Sequence, residues 1–139
     1  MGSKNFVNNI AQEDNRKDEV IDVSNEKKNI LIVHNYYQIP GGEDTVVANE
    51  KKMLEKHGHK VILYSRNNAE LKQMSKIRIL FLPFTTVFNL RTYKEIKKQI
   101  RRENIDVVHV HNTLNLISPA VYYAARSMKV PVVQTVHNF

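Results

Sequence analysis

The sequence predicts a doubly wound α/β domain, in which a parallel β-sheet is covered by helices on both faces. Four short apolar runs, rich in β-branched residues, alternate with segments that have helical periodicity. Such runs are typical of strands that are buried on both faces, as they are in parallel sheets. The order β-α-β-(α-α)-β-α-β therefore favours a layered α/β fold with right-handed crossovers.

The first predicted strand, Ile30–Val33, leads into a loop that contains Gly41 and Gly42. Glu43 and Asp44 follow, where acidic side chains would meet the positive end of a helix dipole. This order can hold an anionic group, since glycine lets a phosphate approach backbone N–H groups at a helix start. The alternative is a sharp turn that needs glycine only for its dihedral angles. The sequence has neither G-x-G-x-x-G nor G-K-[ST], so a dinucleotide fingerprint and a P-loop are absent.

The next elements complete a βαβ unit, which is followed by an unusually apolar segment. The spacing of apolar residues predicts a one-sided helix over 44–57, ended by Gly58 as the C′ residue. Lys60–Ser65 is the second predicted strand. Ile77–Asn89 is apolar nearly all round and contains Pro83, so we expect a mostly buried helical segment broken at the proline. An exposed apolar surface is the alternative.

The last third of the chain predicts two helices and two strands. Arg91–Glu103 has an apolar stripe and a strongly basic opposite face, typical of a solvated helix and, alternatively, of a surface that meets an anionic membrane. Asp106–Val110 is the third strand. Ser118 caps the next helix, with Pro119 as its first residue, and Val132–Val136 is the fourth strand.

Composition restricts the class of protein. Residues 30–139 carry 16 Lys and Arg against 8 Asp and Glu, which favours anionic ligands or surfaces. No motif that reads nucleic acid accompanies this charge, so we expect no nucleic-acid partner. The sequence has no cysteine, no apolar stretch long enough to span a bilayer and no secretory signal, so we expect a cytoplasmic protein. Residues 1–28 are polar and predict a flexible N-terminal extension.

Polar residues recur where the predicted strands end. Three of the four strands are followed by a His-Asn pair, namely His34-Asn35, His111-Asn112 and His137-Asn138. The carboxyl ends of parallel strands lie at one end of a sheet, where ligands of α/β folds bind. We therefore expect these side chains to share a functional site. Glu43 is the only carboxylate near this end in the sequence, so the pattern for a zinc site is weak.

Four motifs in order, GGED, LEKHGHKVILYS, DVVHVHN and VPVVQTVHN, resemble the N-terminal half of glycosyltransferase family 4 enzymes of the GT-B fold. The resemblance runs from Asn29 to the end of the chain. It implies a Rossmann-like domain that mainly holds the acceptor, in an enzyme that transfers a sugar from a nucleotide-sugar donor to a hydroxyl with retention. The acceptor would be a glycan or a lipid-linked molecule. No metal ion or other cofactor is implied.

The resemblance also assigns roles to individual residues. Gly41 and Gly42 match the glycine loop that approaches the donor diphosphate, and His137 matches the catalytic histidine beside the transferred sugar. The remaining matches lie in the acceptor cleft and are Glu43, His111, Asn112 and Asn138. A histidine there can donate a hydrogen bond without carrying permanent charge.

One part of the family pattern is missing. The C-terminal domain, which holds most of the donor nucleotide in these enzymes, has no counterpart in residues 29–139. We therefore expect an excised or truncated domain that is inactive alone, with the C-terminal domain as its partner and, from the basic helix, a peripheral position at the inner membrane face. The alternatives are a stand-alone binding module for a phosphorylated or glycan ligand or a protein, and half of a GT-B sugar-nucleotide epimerase.

Overall fold

A computed structural model describes residues 26–37, 41–113 and 116–137 of the chain. Four strands form one sheet: β1 Asn29–Tyr36, β2 Lys60–Asn67, β3 Val107–Asn112 and β4 Val132–Gln134. The strand order is β2-β1-β3-β4, and every neighbouring pair is parallel. The predicted parallel α/β architecture is confirmed. The predicted N-terminal extension lies outside the described residues, apart from its last three positions.

Helices cover both faces of this sheet. They are α1 Gly42–Lys56, α2 Lys76–Leu80, α3 Leu82–Val87, α4 Leu90–Glu103 and α5 Ala120–Ser127, and a 3₁₀ helix spans Asn68–Gln73. Side chains along β1 alternate between the two faces. Ile30 and Ile32 pack with Val47 of α1, whereas Leu31 and Val33 belong to the larger core beneath α4 and α5.

Burial differs between the central and the outer strands. In β1 all residues from Ile30 to Asn35 are buried, but in β2 only Tyr64 is. β4 is shorter than predicted, and Val133 within it is 52% exposed. The expectation of four buried strands is therefore wrong for β2 and β4. A short apolar run does not distinguish a central strand from one at the border of the described sheet.

The apolar segment, residues 77–90, is the largest departure from the sequence prediction. It is helical as expected, but the break falls at Phe81, and Pro83 lies in the first turn of α3. The expected burial is wrong. The exposed side chains are Ile77, Ile79, Leu80, Phe81, Phe84, Val87, Phe88 and Leu90. Apolar composition shows that water is a poor environment for a segment, but it does not show what covers it.

The helix ends agree with the sequence in most places. Gly58 follows the C-cap of α1 with a φ of 86°, as a C′ glycine should. The cap of α5 differs by one residue: Ala120 begins the helix, and Ser118 Oγ accepts its N–H at 3.2 Å, so Pro119 precedes the first helical position. Within the described residues, no helix is long and apolar enough to cross a membrane.

Candidate functional site

The carboxyl end of the sheet is irregular between its two central strands. Val33 pairs with Val110, but the next residue of β1, His34, pairs with Asn112. His111 is therefore the extra residue of a β-bulge. Bulges re-aim side chains and often lie beside functional sites. This one brings His111 near His34, with a distance of 6.3 Å between the ring centroids.

Asp44 ties the glycine loop to the end of β1. Its Oδ1 lies 2.8 Å from Nε2 of the fully buried His34, and its Oδ2 accepts the N–H of Gly41 at 3.1 Å. Because an ionised carboxylate only accepts hydrogen bonds, the proton of a neutral His34 ring belongs on Nε2. Nδ1 of this ring is buried without a hydrogen-bond partner among the described residues.

The two glycines of the loop are not required by the local backbone. Gly41 is extended, with φ −118° and ψ 178°, and Gly42 is the first helical residue. A Cβ atom built on either one meets no atom of the described residues within 4 Å. The turn alternative is therefore wrong, and open space lies beside the start of α1. The N–H of Gly41, however, is already bonded to Asp44.

Asn112 links the end of β3 to the start of α1. Its Nδ2 donates to Glu43 Oε1 at 3.2 Å and approaches the backbone oxygen of Asn35 at 3.4 Å. Asn112 is 8% exposed, so its side chain makes its contacts within the domain and offers little surface to a ligand. Glu43 therefore lies against β3, and the capping carboxylate of α1 is Asp44 instead.

A second set of contacts, the histidine network, joins α1 to β3 and the segment after β4. Its members are Glu50, His109, His111, Thr135 and His137. Glu50 Oε1 lies 2.5 Å from His109 Nδ1, and Glu50 Oε2 lies 3.4 Å from His111 Nε2. His109 Nε2 is 2.9 Å from Thr135 Oγ1, and His111 Nδ1 is 3.0 Å from His137 Nε2. The rings of His111 and His137 are stacked, with centroids 5.3 Å apart.

The surroundings of His111 keep its ring neutral. Burial, followed by the nearby rings of His109, His137 and His34, lowers the pKa of His111 to about 4. Desolvation disfavours the charged imidazolium, and a second positive charge close by disfavours it further. At neutral pH the ring at the centre of the network is therefore neutral.

Glu50 and His109 were not found from the sequence, although their spacing offered a signal. Glu50 is seven residues after Glu43, which places both carboxylates on one side of α1 two turns apart. His109 is two residues before His111, so both point to the same face of β3. These two periods group Glu43 with Glu50 and His109 with His111, but only the seating of α1 on the sheet brings Glu50 to the histidines.

Two groups carry side chains of the types that bind metals, with their ligand atoms within 4.8 Å of one another. They are Glu50, His109 and His111, and His34, Glu43 and Asp44. The 2.5 Å separation of Glu50 and His109 is a hydrogen-bond distance, whereas two ligands of tetrahedral zinc lie roughly 3.3 Å apart. The network as it stands is arranged for sharing protons. The expectation of a metal-free site stays a prediction.

The structure gathers most of the predicted site residues at this end of the sheet. Gly41, Gly42, Glu43, His111, Asn112 and His137 lie on the first turn of α1, at the end of β3 or just after β4. Asn138 lies outside the described residues. The predicted convergence of His34, His111 and His137 is confirmed by the ring contacts.

Comparison with known proteins gives two findings. The family model described as Glycosyltransferase Family 4 matches residues 40–139. The chain is also 23% identical over 115 residues to an alpha-monoglucosyldiacylglycerol synthase of Streptococcus pneumoniae. That alignment covers 78% of the chain and 26% of the relative, so the chain spans about a quarter of the relative's length.

Proposed function

The chain belongs to glycosyltransferase family 4, and from this premise we propose that it forms the acceptor-side half of a retaining enzyme. This enzyme transfers a sugar from a nucleotide-sugar donor to a hydroxyl group of a glycan or lipid-linked acceptor. The observation that carries the proposal is the convergence of the glycine loop and the half-buried His137 on one end of the sheet. Ligands of open α/β folds bind there.

The start of α1 is proposed as the place of the donor diphosphate. Negative charge grows on this group as the glycosidic bond breaks, and fixed N–H donors at a helix N-terminus stabilise it. The open space beside Gly41 and Gly42 admits a phosphate to the backbone. Since Asp44 occupies the N–H of Gly41, the amides that follow it are the better donors. This charge compensation requires no metal ion.

His137 is proposed to contact the transferred sugar or the acceptor hydroxyl. Its Nε2 is held by the buried His111, and the residue is half-buried, so part of its side chain remains accessible. A ring fixed on one side and accessible on the other can orient a hydroxyl group at the reacting carbon. Orientation of this kind contributes to catalysis without a covalent role for the histidine.

A peripheral position on an anionic membrane surface is proposed for the same enzyme. Phe88 of the apolar segment contacts Tyr93 of α4, and Lys97 lies over the Tyr93 ring at 5.0 Å. A groove on α4 is lined by Tyr93 together with Lys94, Lys97, Lys98, Arg101 and Arg102. Apolar side chains bordered by cations suit an interface of acyl chains and anionic headgroups. The similar synthase from Streptococcus pneumoniae is named for a lipid product, which supports a lipid acceptor.

The proposal is tested by the stereochemistry of transfer. The polypeptide that contains this domain together with a nucleotide-binding domain is incubated with nucleotide-sugars and with diacylglycerol or glycan acceptors. We expect release of nucleoside diphosphate and a product with the anomeric configuration of the donor, assigned by proton NMR. The 139-residue chain alone, as the control, is expected to be inactive. Inversion at the anomeric carbon, or turnover by the isolated chain, would contradict the proposal.

A further inference from the structure

We propose that Glu50 fixes the tautomer of His137 through His111, so that His137 offers an unprotonated Nδ1 to its ligand. His137 would then accept a hydrogen bond from a hydroxyl group instead of donating one. Glu50 and His111 act as positioning residues. This inference rests on the proposed function for the identity of the ligand, but the tautomers themselves are a property of the chain.

The first step is the contact between Glu50 and His109. An ionised carboxylate has no proton to donate, so the 2.5 Å contact places a proton on Nδ1 of His109. When the His109 ring is neutral, its Nε2 carries no proton and accepts a hydrogen bond from the hydroxyl of Thr135, with a distance of 2.9 Å between Nε2 and Oγ1. One carboxylate oxygen of Glu50 is thus fully used, and the side chain is held in place.

The second step is the contact between Glu50 and His111. Nε2 of His111 is buried and forms no full hydrogen bond among the described residues, and the free oxygen of Glu50 lies 3.4 Å away. A lone pair on Nε2 would face a carboxylate in a poorly solvated place, which is unfavourable. A proton on Nε2 turns the same contact into an attraction. Because the ring is neutral, Nδ1 of His111 carries no proton.

The third step transmits this choice to His137. Nδ1 of His111 lies 3.0 Å from Nε2 of His137, and an unprotonated Nδ1 requires a donor there. The proton of a neutral His137 is therefore on Nε2, which leaves a lone pair on Nδ1. No described residue binds this atom, and His137 is only half-buried. A lone pair attracts the O–H of a sugar or acceptor and repels the oxygens of a phosphate.

The chemical consequence is a division of labour at the carboxyl end of the sheet. The first turn of α1 offers N–H donors and the open space beside the glycines. His137, three residues after the end of β4, offers a hydrogen-bond acceptor, Nδ1. A phosphate therefore belongs beside α1, and a hydroxyl-bearing sugar or acceptor belongs beside His137.

The direct test is the nitrogen-15 NMR spectrum of the histidine rings in the 139-residue chain at pH 7.5. Long-range proton–nitrogen correlations report which ring nitrogen carries the proton. We expect the proton on Nδ1 of His109 and on Nε2 of both His111 and His137. A proton on Nδ1 of His137 would overturn the proposal.

The E50Q variant makes the test sharper, because glutamine keeps the shape of Glu50 and adds an N–H donor. Its amide oxygen can still accept from His109, while its NH₂ group faces His111. We expect the proton of His111 to move from Nε2 to Nδ1 and that of His137 to move from Nε2 to Nδ1. Unchanged tautomers in a folded E50Q chain would also overturn the proposal.

Matched controls separate this effect from a general disturbance. Asp44 lies on α1, as Glu50 does, but its carboxylate contacts His34. The D44N variant removes this carboxylate and should leave the tautomers of His111 and His137 unchanged. The exposed His57 is an internal reference in both variants. If E50Q does not fold, the wild-type spectrum still decides the proposal.

Activity distinguishes a failure of this inference from a failure of the proposed function. In the polypeptide with transferase activity, E50Q should lower kcat about tenfold, as expected when one hydrogen bond is lost. The predicted tautomers without any sugar transfer would contradict the proposed function alone. Sugar transfer with the opposite tautomers would contradict the inference alone.

Discussion

The carboxyl end of the sheet and the apolar segment depart in opposite ways from the rule that soluble domains bury apolar side chains and expose polar ones. At the carboxyl end, polar side chains such as His34, Asn35, His111 and Asn112 are buried. In the apolar segment, Leu80 and Phe84 are more than 70% exposed. Soluble domains ordinarily place these residue types the other way round.

The difference lies in how each violation is compensated. Buried polar groups are costly unless they are hydrogen-bonded, and at the carboxyl end α1 and the 3₁₀ helix supply partners to the polar side chains of β1 and β3. The apolar segment has no comparable compensation among the described residues. The polar groups of the carboxyl end are thus mostly compensated within the described residues, whereas the apolar segment is left exposed by them, as interaction surfaces are.

Acid should damage the carboxyl end most strongly. Because the pKa of His111 is about 4 in the folded chain and 6.5 when unperturbed, the unfolded chain binds a proton first as the pH falls. His111 therefore contributes its full stability above pH 6.5 and loses it as the pH falls through about 4. The free energy of unfolding should drop by roughly 3 kcal/mol from this ring between pH 7 and pH 4.

Urea unfolding at several pH values measures this contribution. The H111Q variant should have a flatter pH dependence than the wild type, and the H57Q variant, changed at an exposed ring, should not. Equal pH dependence in the wild type and H111Q would show that the His111 ring is solvated.

The apolar segment and α4 predict a smaller effect on membrane binding. The double change K97Q and K98Q removes two cations beside Tyr93 and should weaken binding to vesicles rich in phosphatidylserine. At about 1 kcal/mol for each basic residue, the expected loss is about 30-fold.

A matched pair controls for net charge. The double change K51Q and K52Q on α1 also removes two cations, but on the opposite face of the sheet. It should leave vesicle binding nearly unchanged. Equal losses for both pairs would mean that the overall charge, and not this surface, attracts the chain.

The smallest expected effect on stability is at the glycine loop. Gly42 is helical and a Cβ atom there meets no described atom within 4 Å, so G42A should raise the free energy of unfolding by about 0.4–1 kcal/mol. G58A is the contrast, because Gly58 has a φ of 86° and alanine there should cost about 1 kcal/mol or more.

In the active enzyme G42A should nevertheless raise KM for the donor. An unchanged KM would exclude close approach of the diphosphate at this residue.

The sequence predicted the carboxyl end better than it predicted the apolar segment, for physical reasons. Strand ends of a parallel sheet must lie together, so the convergence of His34, His111 and His137 follows from topology. The partner of a buried histidine depends on how a helix is seated on the sheet, which explains why Glu50 was missed. Burial of Ile77 and its neighbours depends on what lies beside them, and local periodicity does not contain that information.

The bulge is a further limit of sequence reasoning. Nothing in the run DVVHVHN shows that His111 is an extra residue in the pairing of β3 with β1. Strand register is decided by contacts between chain segments that are far apart in sequence. The identity of His111 as a polar strand-end residue was visible, but its aim and its partners were not.

The most direct test of a functional carboxyl end is the H137A variant, measured for turnover and for melting temperature in the enzyme that contains this domain. If His137 orients a reacting hydroxyl, turnover should fall by roughly 10²-fold, the scale of losing one preorganised contact. The melting temperature should fall modestly, because the half-buried ring stacks on His111 and its loss leaves Nδ1 of that buried ring without its partner. H57A at an exposed ring is the control. Normal turnover of H137A, whatever its melting temperature, would contradict the assignment.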